Sequence, residues 1–257
     1  MDYLIIYLAF ALLINILMFI PAYLKQTDKL TDISYGASFT IVGAFAFFRS
    51  EMNLAHTILF IAVLAWSARL GAFLLYRVRK VGKDSRFDEM RKHFFKFLRF
   101  WVLQGLSVFV ILLSSIIAWD STSFSISLIG VAGLVLFGAG LLTEATADIQ
   151  KFRFNSKLSN KGQWIDEGLW RKSRHPNYLG EMSVWSGLYI FALSSMTGWE
   201  LALGAISPLY IILLLSFGSG IPILEKGADE RWGQNKEYQK YKSEVPVLIP
   251  SLKSLKR

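Results

Sequence analysis

Hydrophobic residues run through this chain in long unbroken stretches, not at alternate positions and not as one stripe on otherwise polar helices. Such a stretch crosses a hydrocarbon core once it reaches roughly 20 residues, since a helix rises ~1.5 Å per residue through ~30 Å of lipid tails. Seven stretches meet or approach that length, at about 3–23, 34–50, 56–76, 97–119, 125–147, 179–197 and 200–222; the second and sixth are short or polar at one end. Barrel strands alternate and need only ~10 residues, so continuous apolarity predicts helices. The predicted fold is all-α: a polytopic membrane bundle of about seven transmembrane helices forming one integral membrane domain over 1–257.

Charge placement orients that bundle. Segment 77–99 carries Arg77, Arg79, Lys80, Lys83, Arg86, Arg91, Lys92, Lys96 and Arg99; segment 148–174 carries Lys151, Arg153, Lys157, Lys161, Arg171, Lys172 and Arg174. The stretch from Lys226 to Arg257 is also basic, while the connections near 119–124 and 196–200 hold only Asp120 and Glu200. By the positive-inside rule the N-terminus lies outside and the C-terminus in the cytoplasm.

Composition then narrows the function classes. The 53% hydrophobic content with 20 Phe fits the membrane assignment, and topology accounts for the net charge of +9 without nucleic acid. The bilayer, anionic headgroups or an anionic cofactor are the expected partners. With no Cys, disulfides, thiol nucleophiles and thiolate metal sites are excluded. The first apolar stretch follows Met1-Asp2-Tyr3 with no positive n-region, so it reads as a span and not a cleaved signal. His56 and His93 read as interfacial or surface groups, and with His175 they form no zinc spacing and no H-E-x-x-H. Neither a strand-borne G-x-G-x-x-G nor a P-loop occurs, so a dinucleotide would be held by helices.

Polar residues gather at the predicted cytoplasmic side: Asp32 and Tyr35, Arg69, Glu144 and Asp148, then Asn177 and Glu181. Arg69 lies eight residues before Arg77, about 12 Å into its helix. It snorkels, pairs with Glu144 or another inward carboxylate, or meets a bound anion. Glu144 with Asp148, Arg174 with Tyr178, and Asn177 with Glu181 are each four apart and share a helix face. Pro176 suits the first turn of a helix, whose free N–H groups beside Arg171, Lys172 and Arg174 make a seat for phosphate. The plainer reading of those basic residues is headgroup anchoring.

The run Arg174-His175-Pro176-Asn177-Tyr178-Leu179-Gly180-Glu181 resembles a signature shared by membrane sterol and steroid reductases and by isoprenylcysteine and phospholipid methyltransferases. Glu230-Arg231-Trp232-Gly233, Tyr238-Gln239-Lys240-Tyr241, Val245-Pro246 and Ile249-Pro250 resemble the ending of the same superfamily, and the likeness covers about 140–252. Asp32-Ile33-Ser34-Tyr35-Gly36, Trp66-Ser67-Ala68-Arg69-Leu70-Gly71, Gly82-Lys83-Asp84-Ser85-Arg86-Phe87 and Ser219-Gly220-Ile221-Pro222-Ile223-Leu224-Glu225 are most similar to bacterial steroid 5α-reductase-like membrane proteins.

That resemblance implies a multi-pass protein of the bacterial inner membrane, with NADPH in the half 121–257 and a lipid-like substrate in the half 1–120. Hydride would pass to the β-carbon of a C=C conjugated with a carbonyl, and an acidic group would protonate or polarise the oxygen. Carried over by motif, Asn177 and Glu181 would contact the nicotinamide, with Arg174, His175 and Tyr178 along the ribose and phosphates. Asp148, Arg153 and Asn155 match the polar segment before the signature, and Tyr238 and Tyr241 match the later cofactor flank.

Two positions depart from the steroid reductases. The second span has no Glu in its apolar stretch, and the third has Trp66-Ser67 where a tyrosine is looked for. An enolate oxygen needs a donor within about 3 Å, and Tyr35, Tyr76, Tyr189, Glu144 and Arg69 are the candidates. Tyr35, Arg69 and Glu144 are taken as the catalytic set, Tyr35 first because it neighbours Asp32. The same signature leaves two alternatives: an S-adenosylmethionine-dependent methyltransferase of a lipid or prenylated acceptor, and a non-enzymatic lipid-binding membrane protein. Glu225-Lys226 in place of the adjacent glutamates common in the methyltransferases favours the reductase.

Overall fold

The computed structural model describes residues 2–81 and 87–255; most of the Gly82–Phe87 motif and the side chain of Asp32 lie outside the described set. Ten α-helices are described: α1 Asp2–Leu24, α2 Lys29–Arg49, α3 Leu54–Val81, α4 Phe94–Asp120, α5 Leu128–Asn155, α6 Pro176–Ala192, α7 Trp199–Phe217, α8 Ile221–Trp232, α9 Lys236–Glu244 and α10 Leu252–Leu255. Among the described residues there is no strand. The chain is an all-α, multi-pass membrane protein.

Among the described residues, six stretches are long and apolar enough to cross a bilayer: Tyr3–Leu24, Lys29–Arg49, Leu54–Tyr76, Phe94–Asp120, Leu128–Asn155 and Trp199–Trp232, the last holding both α7 and α8. The seventh expected span is the helix α6, only 17 residues long and followed by a short 3-10 turn at Leu193–Ser195. Outward-facing Leu17, Ile61, Val135, Leu142 and Leu213 present aliphatic surface of the kind lipid tails cover.

The chain divides into two compact units, Met1–Gly130 with Phe191–Ser207, and Val131–Ile190 with Pro208–Arg257. In the first, α4 packs on α1 and α2, and α2 packs on α3. Phe19, Ala22, Phe97 and Trp101 form a buried cluster between α1 and α4. Beside it runs a polar seam: buried Asn15 donates to Ser38 Oγ at 3.1 Å, while Gln104 donates to Asn15 Oδ1 at 2.9 Å and to the Thr31 carbonyl at 3.3 Å. Mutually satisfied polar groups of this kind fix helix register where tails and side chains are equally apolar. The α1–α2 turn is tied down by Arg91, whose guanidinium meets Asp28 at 2.9 Å and Asp88 at 2.5 Å.

His56 corrects an expectation. It is fully buried, and its Nε2 lies 3.1 Å from the Ala118 carbonyl and 3.2 Å from that of Ser121. The Ala118 carbonyl already takes the Ser121 amide at 3.2 Å, and the imidazole N–H adds a second donor shared with the Ser121 carbonyl at the end of α4. Phe124 closes over the ring edge-on at 5.3 Å, and Asn53 donates to its carbonyl at 2.9 Å. His93 is exposed, as expected.

In the second unit α5 and α6 run antiparallel along a glycine seam. A Cβ on Gly180 would stand 2.6 Å from the Glu144 amide nitrogen, and one on Gly140 would stand 2.7 Å from the Gly180 carbonyl oxygen. One repeat further, Gly187 lies against Phe137 and the Gly133 carbonyl. Glycines seven apart on each helix let the backbones touch, a recurrent device in membrane bundles.

Candidate functional site

The polar half of the second unit begins where α5 leaves its apolar stretch. There the chain turns at Gly168, whose φ of +57° and contact with the Gln150 side chain leave no room for a Cβ. Gln150 accepts from the Leu169 amide at 2.9 Å and Trp170 donates to the Ala147 carbonyl at 3.0 Å, so residues 168–171 are fastened to α5. This delivers Arg174 and His175 to the head of α6, which starts at Pro176 as the missing N–H of proline permits.

Four stretches then enclose an open cavity of about 690 Å³: Lys151 and Asn155 of α5, loop residues 160–165, Trp170 with Arg174 and His175, and the inner faces of α8 and α9. That size is ordinary for a cofactor or small-molecule site. One wall is aromatic. Trp164 meets Tyr238 edge-on at 5.3 Å and Trp232 at 6.2 Å, Trp232 donates to the Gly162 carbonyl at 2.7 Å, and Tyr241 donates to that of Trp170 at 2.9 Å. Asn235 caps α9 by accepting from the Glu237 and Tyr238 amides, which orients Tyr238. Burial raises the Tyr238 phenol above its ordinary pKa, keeping it a neutral donor.

Among the described residues the lining carries four basic side chains, Lys151, Lys161, Arg174 and Arg231, and one carboxylate, that of Glu225. Lys151 sits 4.5 Å above the Trp170 ring and Arg231 5.5 Å from that of Trp232, so both cations are steered by aromatic faces. Glu225 fastens the signature residues: its carboxylate lies 2.9 Å from Arg174 Nη1, 2.8 Å from His175 Nε2 and 3.5 Å from Lys242 Nζ. Lys242 is held in turn by Asp229 at 2.5 Å.

The Glu225 contact assigns the proton of neutral His175 to Nε2. Burial pushes the imidazole below its ordinary pKa, more than Glu225 draws it back. Its Nδ1, the Nε of Arg174 and the indole nitrogen of Trp164 are buried and without a hydrogen-bond partner, and all three residues line the cavity. A buried polar atom left unmet costs about 1–3 kcal/mol, so such a group signals a ligand or an ordered water.

The site residues expected from sequence fall into three groups. Asn155, Arg174, His175, Tyr238 and Tyr241 line this cavity. Asp148, Asn177 and Tyr178 sit beside it: Asn177 donates to Asp148 Oδ1 at 3.3 Å, and the Tyr178 ring stacks on His175 at 5.7 Å. Arg153 is exposed and Glu181 half-buried, and neither is part of the lining. Of the expected catalytic set, Glu144 is buried in the second unit against α6, and Tyr35 and Arg69 belong to the first. Tyr35 meets Phe39 edge-on at 5.1 Å, and Phe39 meets Trp66 at 4.9 Å, so Trp66 continues an aromatic ladder at the position where a tyrosine was looked for. Ser67 pairs with Thr40 at 2.9 Å.

Sequence reasoning missed the roles of Glu225, Lys151, Trp164 and Trp232. Glu225 stood in a motif already singled out, but its partner His175 lies 50 residues earlier and no spacing announces the pair.

Residues 18–245 match the family described as protein of unknown function DUF1295. The chain belongs to that family. Over 72 residues it is 33% identical to the probable O-methyltransferase ustE of Ustilaginoidea virens, a match covering 28% of this chain and 25% of that protein. No solved structure matches. These findings support an enzyme embedded in a membrane.

Proposed function

We propose that the chain is an NADPH-dependent reductase of a conjugated C=C bond in a hydrophobic steroid-like or isoprenoid enone. The observation that carries the reading is the charge of the cavity, four cations to one carboxylate. A dinucleotide phosphate is a polyanion and gains from every one of those cations, whereas S-adenosylmethionine brings a sulfonium and is repelled by the same field. The unmet donors on Arg174 and Trp164 suit phosphate and ribose oxygens, and the Trp164, Trp232 and Tyr238 rings suit a base. When bound, NADPH supplies the hydride.

The chain's own residues bind, orient and donate. Lys151, Arg174 and Arg231, which line the cavity, would hold phosphate, with Glu225 keeping Arg174 and His175 in place. Asn177 and Glu181, beside the lining and not in it, would take the nicotinamide side, and Tyr35, Arg69 and Glu144 are the candidates for meeting the substrate oxygen. The methyltransferase reading keeps one specific support, the likeness to the probable O-methyltransferase.

Arg174→Ala and Lys151→Ala each remove a charge-assisted contact worth about 1.5–3 kcal/mol, so NADPH affinity should fall about 10- to 100-fold in each. Asn177→Ala and Glu181→Ala should also weaken it while the protein stays folded in detergent. Unchanged NADPH titrations across all four variants would overturn the site assignment.

A further inference from the structure

The segment that follows α9 turns three aliphatic side chains outward. Val245 and the polar Ser254 are buried, while Ile249, Leu252 and Leu255 are 74%, 81% and 54% exposed. The segment is nonetheless well fastened. Ser251 and Ser254 cap each other through amide-to-hydroxyl bonds of 3.0 and 3.1 Å, so α10 presents its leucines outward in a fixed geometry. The capping accounts for the inward serine; three aliphatic side chains held outward together are the feature a segment lying against lipid would show.

The other edge of the segment holds the candidate site. The Pro246 carbonyl accepts from the Arg174 amide at 2.9 Å and that of Val247 from the His175 amide at 3.1 Å. Ser173 Oγ donates to the Val247 carbonyl at 3.3 Å, and Lys172 Nζ to the Leu255 carbonyl at 2.6 Å. Residues 172–175 stand at the head of α6, so the strap is fixed by its backbone to the start of that helix.

We propose that residues 245–255 form a membrane-docked strap, whose aliphatic side chains enter the interface of a bilayer bearing acidic phospholipids and which thereby holds Arg174 and His175 in position. Charge selects the occupant. From 245 to 257 the sequence carries Lys253, Lys256 and Arg257 and no Asp or Glu, a balance that complements acidic headgroups and repels a second copy of the same basic segment. The strap is independent of which cofactor the cavity takes.

The chain has no cysteine, so a single label can be placed cleanly. An environment-sensitive fluorophore goes on Leu252→Cys, on Ile249→Cys, and on Lys240→Cys of α9 as a water-facing reference, in the full chain reconstituted into nanodiscs. Phosphatidylcholine alone is compared with phosphatidylcholine mixed with phosphatidylglycerol. The strap labels should emit blue-shifted light and lose fluorescence to brominated lipid, more so with phosphatidylglycerol, while the reference loses it only to aqueous iodide. In the same discs, Leu252→Asp with Leu255→Asp should speed hydrogen exchange at the Arg174 and His175 amides. Iodide quenching of the strap labels equal to the reference in both lipids would overturn the proposal. So would strap labels shielded from iodide only at protein-to-disc ratios that place two chains in one disc, which would make the occupant a second copy.

Discussion

Removing the Glu225 carboxylate is the perturbation whose cost the structure bounds most tightly. Glu225 is 19% exposed, Arg174 11% and His175 6%. Breaking a fully buried ion pair by deleting one partner costs about 3–5 kcal/mol, and an exposed pair is worth about 0–1. Glu225→Ala strands Arg174 and leaves His175 Nε2 without an acceptor, and the partial exposure puts the loss at about 2–3 kcal/mol. At about 2–4 °C per kcal/mol for a chain of this size, the Tm should fall by about 4–12 °C.

Glu225→Gln keeps an acceptor for His175 and loses only charge, so it should fall between wild type and alanine. The assay is tryptophan fluorescence on heating in detergent at one fixed scan rate, because irreversible unfolding makes Tm rate-dependent. In an Arg174→Ala background the Glu225→Ala cost should shrink, since no stranded cation remains. A Tm for Glu225→Ala within a degree of wild type, or costs that simply add in the double variant, would refute the idea that Glu225 fastens the signature residues.

Gly180→Ala should destabilise by about 1–3 kcal/mol, since its Cβ meets α5 backbone that cannot yield, while Gly138→Ala, with nothing within 4 Å, should be neutral or slightly stabilising in the same melt. Stability should also drop as pH falls below about 6.5, because His175 has a depressed pKa in the folded state and the unfolded chain takes up a proton first. The contribution is whole above the unfolded pKa, declines on acidification towards the folded one, and should be missing from the pH dependence of Tm in His175→Gln. Raising salt should weaken NADPH binding, as screening blunts the cationic lining, and a salt-independent affinity would count against phosphate capture there.

The helices were legible because lipid leaves one solution for the backbone, so apolar length alone locates α1, α3 and α4 to within a few residues apart from the polar continuation of α3 to Val81. Pro176 likewise marked the start of α6. What pattern could not show was pairing across distance. His56 sits at a predicted helix end, and only the return of 121–124 over it makes it interior. The helices α8 and α9 are polar and short, and their positions follow from Trp164, Tyr238 and Tyr241 packing together, not from any period. The Gly140 and Gly180 seam was present as a spacing of seven from Gly133 and Gly187 but acquires meaning only when the two helices meet.

The central claim is that the cationic cavity of the second unit takes a dinucleotide phosphate. Its most direct test is the thermal shift of the detergent-purified chain with NADPH, NADH and S-adenosylmethionine in parallel. Stabilisation should be largest for NADPH and approach about 2.7 kcal/mol at 100 times its Kd, with NADH weaker for want of a phosphate and S-adenosylmethionine without effect. Stabilisation by S-adenosylmethionine with none from NADPH would contradict the account.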